Sequence, residues 1–307
     1  MKILVVGAGA TGGYFGSRLQ QAGHEVTFLV RAARAEQLTE HGLVINGPQE
    51  QFTVTPRCLT AEQLEGETWP LIIVAVKHQH LAEVIRTLPP AVGASSLIVP
   101  LLNGMQHIAL LQQAFGQSVV GGLCQIYARL SQYGEIEQLS PLHRLSFGAL
   151  HPSQCATVKE VGMRLQNVGF SLTISADITS EMWEKYLFLG TLGASTCLAG
   201  ADTRTIIASQ GGAAYIDCLF TEILAVITAA GYQPRSAVVS QLRSTLLNPN
   251  TPLVSSLYRD VTAGKPSESQ PIIGDLVRHA DTHHLPASLL RASWVRLQLA
   301  TDHSGNG

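Results

Sequence analysis

The residues with the plainest chemical content stand at the start of the chain. Gly7-Ala8-Gly9-Ala10-Thr11-Gly12 follows the apolar run at residues 3–6 and opens a helix-like segment reaching about Ala22. A Gly23-His24 turn and a second apolar run at residues 26–30 come next. Strand, glycine turn, helix and strand within about thirty residues make G-x-G-x-x-G a dinucleotide-binding fingerprint. Gly7 allows the tight turn, Gly9 lets the backbone approach a pyrophosphate, and Gly12 lets helix and strand pack closely. The first N–H groups and positive end of the helix then hold the phosphate charge. The plain alternative is a glycine-rich turn that holds nothing.

The end of the second strand chooses between NAD and NADP. An Asp or Glu there accepts from a ribose 2′-hydroxyl. This chain has Val30-Arg31 instead, with Arg34 close behind and no acid before Glu36. A guanidinium at that position pairs with a 2′-phosphate in fork geometry, so the residues read as an NADPH site. Otherwise Arg31 is a solvated residue opening the next loop.

A third candidate is Lys185, within Ser180-Glu181-Met182-Trp183-Glu184-Lys185-Tyr186-Leu187. This helix starts where the chain passes from one expected domain to the next. A lysine desolvated in an inter-domain cleft would polarise or protonate a carbonyl oxygen as hydride arrives. Glu181, four residues earlier, offers a surface ion pair worth roughly a few tenths of a kcal/mol, and spacing alone favours that pair.

The elements needed to position these groups are legible from periodicity. Residues 71–76 and 96–102 are continuous apolar runs, as expected of parallel strands buried on both faces. Helices are expected at about 33–40, 78–87 and 105–115, and two short strands around a turn at 42–47 and 51–54. Strands alternating with helices predict a Rossmann-type doubly wound parallel sheet that binds ligands beyond the carboxyl ends of its strands. Lys77 and Asn103 both stand just past such ends and are site candidates for that reason. Their bland readings are a solvated helix-start residue and a turn residue before Gly104. Short strands at 123–130, 134–138 and 143–147 read as an antiparallel extension of the sheet, and a helix at 157–167 and a strand at 170–174 close the domain. From residue 177 the pattern is helical, near 178–198, 203–230, 234–246, 252–263, 267–284 and 286–299, with a polar tail at 301–307. The expectation is an α/β domain over residues 1–176 and an all-α domain over 177–307 for substrate and dimerisation.

Bulk composition narrows the class. The chain has 307 residues, 46% of them hydrophobic, enough for two cores. Only 14% are charged, which fits a large buried fraction or an oligomer interface, a homodimer being the simplest. Twenty basic against twenty-two acidic residues leave no electrostatic footprint for nucleic acid. Five widely spaced cysteines without a C-x-x-C suggest no disulfide framework, no metal site and a reducing cytoplasm. No uninterrupted apolar run reaches the roughly 18 residues of a membrane span, and the first apolar run is too short for a signal peptide.

Taken in order, several motifs resemble the ketopantoate reductase (2-dehydropantoate 2-reductase) family over nearly the whole chain. They are Gly7 to Gly12, Arg31, Val76-Lys77, Leu102-Asn103-Gly104-Met105 and Met182-Trp183-Glu184-Lys185. Ser255-Ser256-Leu257-Tyr258-Arg259-Asp260 follows, then Glu268, with Gly274 beyond it. The resemblance implies NADPH-dependent reduction of a 2-oxo acid to a 2-hydroxy acid. It makes Lys185 the general acid, Glu268 a partner of the nascent hydroxyl and of the lysine, and Ser256 the holder of the substrate carboxylate. Asn103 and Lys77 then line the nicotinamide side. Glu268 also suits a plain helix start after Lys265-Pro266-Ser267. The family carries asparagines four and eight residues after its lysine, where this chain has Leu189 and Gly193. Either the substrate is less polar than ketopantoate, or Thr191, Ser195 or Thr196 supplies the missing contacts. An opine-type or 3-hydroxyacid dehydrogenase and a non-catalytic NADPH-binding protein are the competing readings.

Overall fold

The computed structural model describes residues 1–64 and 66–302; of the expected polar tail, residues 303–307 lie outside the described residues. The chain divides into two compact units, Met1–Leu102 with His107–Thr179, and Asn103–Gln106 with Ser180–Gly307.

The first stretch of chain runs β1 (Lys2–Val6), α1 (Ala10–Gln21), β2 (Glu25–Leu29), α2 (Ala32–His41), β3 (Leu43–Asn46), β4 (Gln51–Val54) and β5 (Arg57–Leu59). Then come β6 (Leu71–Val74), α3 (Leu81–Thr87), β7 (Leu97–Pro100), α4 (Gln106–Phe115), β8 (Gly121–Leu130), β9 (Ile136–Gly148), α5 (Cys155–Arg164) and β10 (Ser171–Ser175). The main sheet has the order β5-β2-β1-β6-β7 with all pairs parallel. That is the order of a dinucleotide-binding half, with its switch point between β1 and β6. The apolar runs are explained by burial on both faces. Ile3 and Val5 enter the core shared with Tyr14, Phe15 and Leu19 of α1, whereas Leu4 and Val6 enter the opposite core with Leu81, Val84 and Leu111.

The expected antiparallel extension is instead a second, mixed sheet, β10-β9-β3-β4 with β8 on β9. β9 pairs antiparallel with β8 but parallel with β3 and β10. The β3–β4 hairpin therefore belongs here through Ile45–Ile136, a pairing across ninety-odd residues that no local pattern signals. The two short runs expected at 134–138 and 143–147 form one strand. Its register jumps from Ile126–His143 to Ala128–Gln138, so Pro141 falls in an irregularity that spares it a ladder bond. β5, three residues long, had no sequence signal.

The second stretch is helical: α6 (Ile178–Ala199), α7 (Thr203–Ala208), α8 (Gly212–Ala229), α9 (Ser236–Leu246), α10 (Ser256–Thr262), α11 (Asp275–Thr282) and α12 (Ser288–Asp302). The single helix expected over 203–230 is broken at Gly211, whose φ of +82° suits glycine. A Cβ on Gly212 would fall 1.7 Å from the Ile206 carbonyl oxygen, so the two helices meet through paired glycines. α8 is long and apolar enough to cross a membrane by length and composition, although no continuous run of that length exists in the sequence. Its Ile216, Leu219, Phe220, Ile223, Val226 and Ile227 are all at most 1% exposed and form the core of the helical unit.

Candidate active site

The fingerprint residues build a cradle at the end of β1. Gly7 sits at φ +96°, and a Cβ there would lie 2.8 Å from the Ala75 carbonyl oxygen. Gly12, in the first turn of α1, passes so close that its Cβ would fall 2.1 Å from the Gly7 carbonyl oxygen and 2.9 Å from the Ala75 methyl. The contact with β2 belongs one turn later to Gly16, which lies against Phe28. Gly9 differs from these: a Cβ there would meet nothing within 4 Å. It begins α1 with no side-chain cap and no acid in the first turn. Ala10, Thr11 and Gly12 thus present first-turn N–H groups of the kind that bind phosphate.

A groove of about 560 Å³ opens there. Its walls are the carboxyl ends of β1 (Gly7, Ala8, Gly9), β2 (Val30, Arg31) and β5 (Thr60, Ala61, Glu62), together with Val76 and, from the α3 region, His80 and Glu83. This is where open α/β sheets place their ligands. Donors at a helix start, glycines that admit close approach and a cation at the β2 end suit a dinucleotide. Lys77, also expected here, is exposed between β6 and α3 and is not part of the groove wall.

The two arginines have different surroundings. Arg31 is exposed; its Nη2 donates to Glu83 Oε2 at 2.8 Å and lies 3.0 Å from His80 Nδ1. Arg34 also lines the groove but is half-buried and held by the protein: Nε and Nη2 donate to the Ala8 carbonyl, Nη2 also to the Gly134 carbonyl at 2.9 Å, and Nη1 to Gln37 Oε1. Burial pushes its pKa down. Arg34 therefore braces the glycine turn against the β8–β9 connection, leaving Arg31 as the phosphate candidate. Glu83 and His80 escaped sequence reading because they come from a different βα unit.

In the helical unit, three candidate segments meet at one stretch of backbone. Tyr186, next to Lys185, is 1% exposed; its hydroxyl donates to the Ile272 carbonyl at 2.7 Å, with the Pro271 carbonyl 3.3 Å away. Burial raises its pKa well above the ordinary value, which keeps the donor proton in place. Gln270–Gly274 is a π-helical turn that begins two residues after Glu268, a form of helix common at functional sites. The Asn103-Gly104 turn touches the same place: a Cβ on Gly104 would lie 2.4 Å from the Pro271 carbonyl oxygen. Asn103, Lys185 and Glu268 each stand within three residues of these contacts. Ser256 opens α10, whose Ser255 caps the helix by accepting from the Tyr258 N–H at 2.9 Å. Buried Glu184 fixes the rotation of α6, accepting from the Arg235 backbone N–H, Nε and Nη2.

Beyond Lys185 the same helix face turns apolar. Leu189 is half-buried, and the Cβ missing from Gly193 would sit 3.2 Å from Leu257 and 3.8 Å from Ile273. Thr191, Ser195 and Thr196, the expected replacements for amide contacts, are each 0% exposed. Their hydroxyls donate to the carbonyls of Leu187 and Leu192 on their own helix. All three are fully buried with their protons spent on α6, and the Thr196 hydroxyl also lies 3.4 Å from the Ser255 hydroxyl that caps α10. Among the described residues no group of His, Cys, Asp and Glu has a metal-holding arrangement, and all five cysteines are free.

Comparison with known proteins gives this geometry a context. The family profile described as "Ketopantoate reductase PanE/ApbA" matches residues 3–152, and its C-terminal counterpart matches 177–299. An uncharacterized oxidoreductase of Bacillus subtilis (strain 168), YkpB, is 34% identical over 97% of this chain and 98% of its own. A 2-dehydropantoate 2-reductase of Nostoc sp. is 23% identical over 91% of this chain and 88% of its own. Among solved structures, a PanE/ApbA family ketopantoate reductase from Ralstonia eutropha JMP134 superposes with a TM-score of 0.87 at 22% identity, covering 100% of both chains. The ternary structure of D-mandelate dehydrogenase with NADH and anilino(oxo)acetate does so with a TM-score of 0.88 at 20% identity, covering 99% of this chain and 100% of that one. At those identities the structural likeness speaks to the fold alone. The two profile matches and the near-complete span of the Bacillus relative go further, and they make the chain a member of the ketopantoate reductase family of oxidoreductases.

Proposed function

We propose that this protein reduces a 2-oxo acid to the 2-hydroxy acid with a nicotinamide cofactor, NADPH being the reductant that Arg31 favours. The observation that carries the reading is the meeting of the Asn103, Lys185 and Glu268 segments at the Pro271–Ile272 backbone, in a chain of this family. The groove at the end of β1 supports the cofactor half: Gly7 to Gly12 hold the pyrophosphate and Arg31 the 2′-phosphate. A bound reduced nicotinamide supplies the hydride. Lys185 Nζ donates to the carbonyl oxygen of the substrate and passes its proton there as negative charge grows. Glu268 accepts from the lysine and from the new hydroxyl, Ser256 Oγ donates to the substrate carboxylate, and Asn103 and Lys77 attend the nicotinamide side.

The lack of an amide side chain at Leu189 and Gly193, one and two turns beyond Lys185, favours a 2-oxo acid less polar than ketopantoate; Gly193 itself packs into the helical core against Leu257 and Ile273. A site built to bond a hydroxyl loses much affinity when those bonds are missing, and here Thr191, Ser195 and Thr196 are already committed. D-mandelate dehydrogenase, a neighbour in fold, was solved with an aromatic oxo-acid compound, anilino(oxo)acetate. The test is a panel of 2-oxo acids with NADPH, followed by cofactor absorbance. Turnover highest on branched or aromatic side chains is expected. Tight cofactor binding without turnover on any member would make the protein a binder and remove the enzymatic reading.

A further inference from the structure

The acid that an NAD site carries at the end of β2 is absent from that strand, yet the fold brings one in from elsewhere. Glu83, in the first turn of α3, accepts from Arg31 Nη2 at 2.8 Å, and both residues line the groove beside Gly7, Ala8 and Gly9. The Arg31 guanidinium holds the Glu83 carboxyl below its ordinary pKa of 4.5, so it is an anion at neutral pH. His80 lies on the same guanidinium nitrogen, 3.0 Å from it. Burial and Arg31 hold its pKa below the ordinary 6.5, so the neutral ring accepts and adds no charge. A 2′-phosphate reaching Arg31 must displace a carboxylate and then sit beside it, anion against anion. A 2′-hydroxyl brings no charge and has a proton to donate to that carboxylate.

We infer that Glu83 is a cofactor-specificity-determining residue, which holds the Arg31 guanidinium, opposes a 2′-phosphate and so admits NADH alongside NADPH. The inference rests on the nicotinamide-dependent reading above and sharpens it. It places the discriminating acid on α3, beside the strand whose end lacks one.

The test is titration of the full chain with NADPH and with NADH, by fluorescence, for the wild type, Glu83→Gln, Arg31→Ala and the double variant. Glu83 has a half-exposed side chain, and glutamine keeps its shape, so the fold is retained. Glu83→Gln should raise the preference for NADPH over NADH about fivefold, mainly through tighter NADPH, and less so at high salt. In the Arg31→Ala background the part of the shift that comes from freeing Arg31 is lost and only the direct repulsion of the phosphate remains, so the same change should shift the preference by a smaller factor, about twofold. An unchanged preference in Glu83→Gln, or a full shift without Arg31, overturns the inference while leaving the cofactor reading in place. If no variant binds either nucleotide, the cofactor reading falls and the inference falls with it.

Discussion

Arg31 and Arg34, three residues apart, show how little residue type alone decides. Arg31 stands out as a candidate in the sequence because it directly follows an apolar strand after a glycine fingerprint, a position with a known use in this fold. Arg34 does not, because its partner Gly134 is 100 residues further along the chain. The two make opposite predictions. On the proposed reading Arg31→Ala should weaken NADPH about tenfold or more and leave NADH within about twofold, since a 2′-phosphate would lose its cation while the exposed Arg31–Glu83 pair contributes little. Arg34→Ala should weaken both nucleotides alike and lower the melting temperature, because the Ala8 and Gly134 carbonyls lose their donor. Paired titrations and thermal melts separate the two. The hydroxyls of Thr191, Ser195 and Thr196 are turned back along α6 for a local reason: Ser and Thr inside a helix bond to carbonyls three or four residues earlier.

At the scale of elements, the parallel strands were readable because burial on both faces demands unbroken apolar runs, and β1, β6 and β7 supply them. The second sheet was not readable as a sheet. Each of its strands has a local pattern, but the β3–β9 pairing depends on partners far apart in sequence. The turn into α1 yields a sharp prediction, since its glycines have different neighbours. Gly9→Ala points a methyl into open space, so the melting temperature should hold while affinity for either nucleotide falls about tenfold, because the pyrophosphate needs that approach. Gly12→Ala drives a methyl into the Gly7 carbonyl, so stability should fall by about 1–3 kcal/mol along with binding. Equal melting temperatures for the two variants would contradict the packing described for α1.

At the scale of the whole molecule, groups whose pKa is shifted by burial or by an ion pair should shape the pH range of stability. Burial lowers the pKa of His24, His143 and His279 below the ordinary 6.5. A group lowered by folding stabilises above its unfolded value, and the contribution is lost as pH falls through the folded one. Stability should therefore decline below about pH 6.5, with a further loss below about 4.5 as Glu50 and Glu67, held down by Arg18 and Lys2, take up protons. The opposite sign applies to Cys58, whose pKa burial raises, and to Cys197, whose pKa burial pushes up to about 12. Their contribution is present below the ordinary 9.0 and lost as pH rises beyond it. Melts across pH should show a plateau between roughly 6.5 and 9 with a fall on each side, and a maximum at pH 5 would contradict this picture.

Proton delivery by Lys185 is the step on which the proposed reduction turns. The measurement that tests it most directly is the steady-state kcat of Lys185→Ala on the best 2-oxo acid of the panel, together with the Kd of the variant for NADPH. A general acid at Lys185 requires a fall in kcat of about 10²-fold or more with NADPH affinity unchanged within about twofold. Turnover equal to that of the wild type would contradict it.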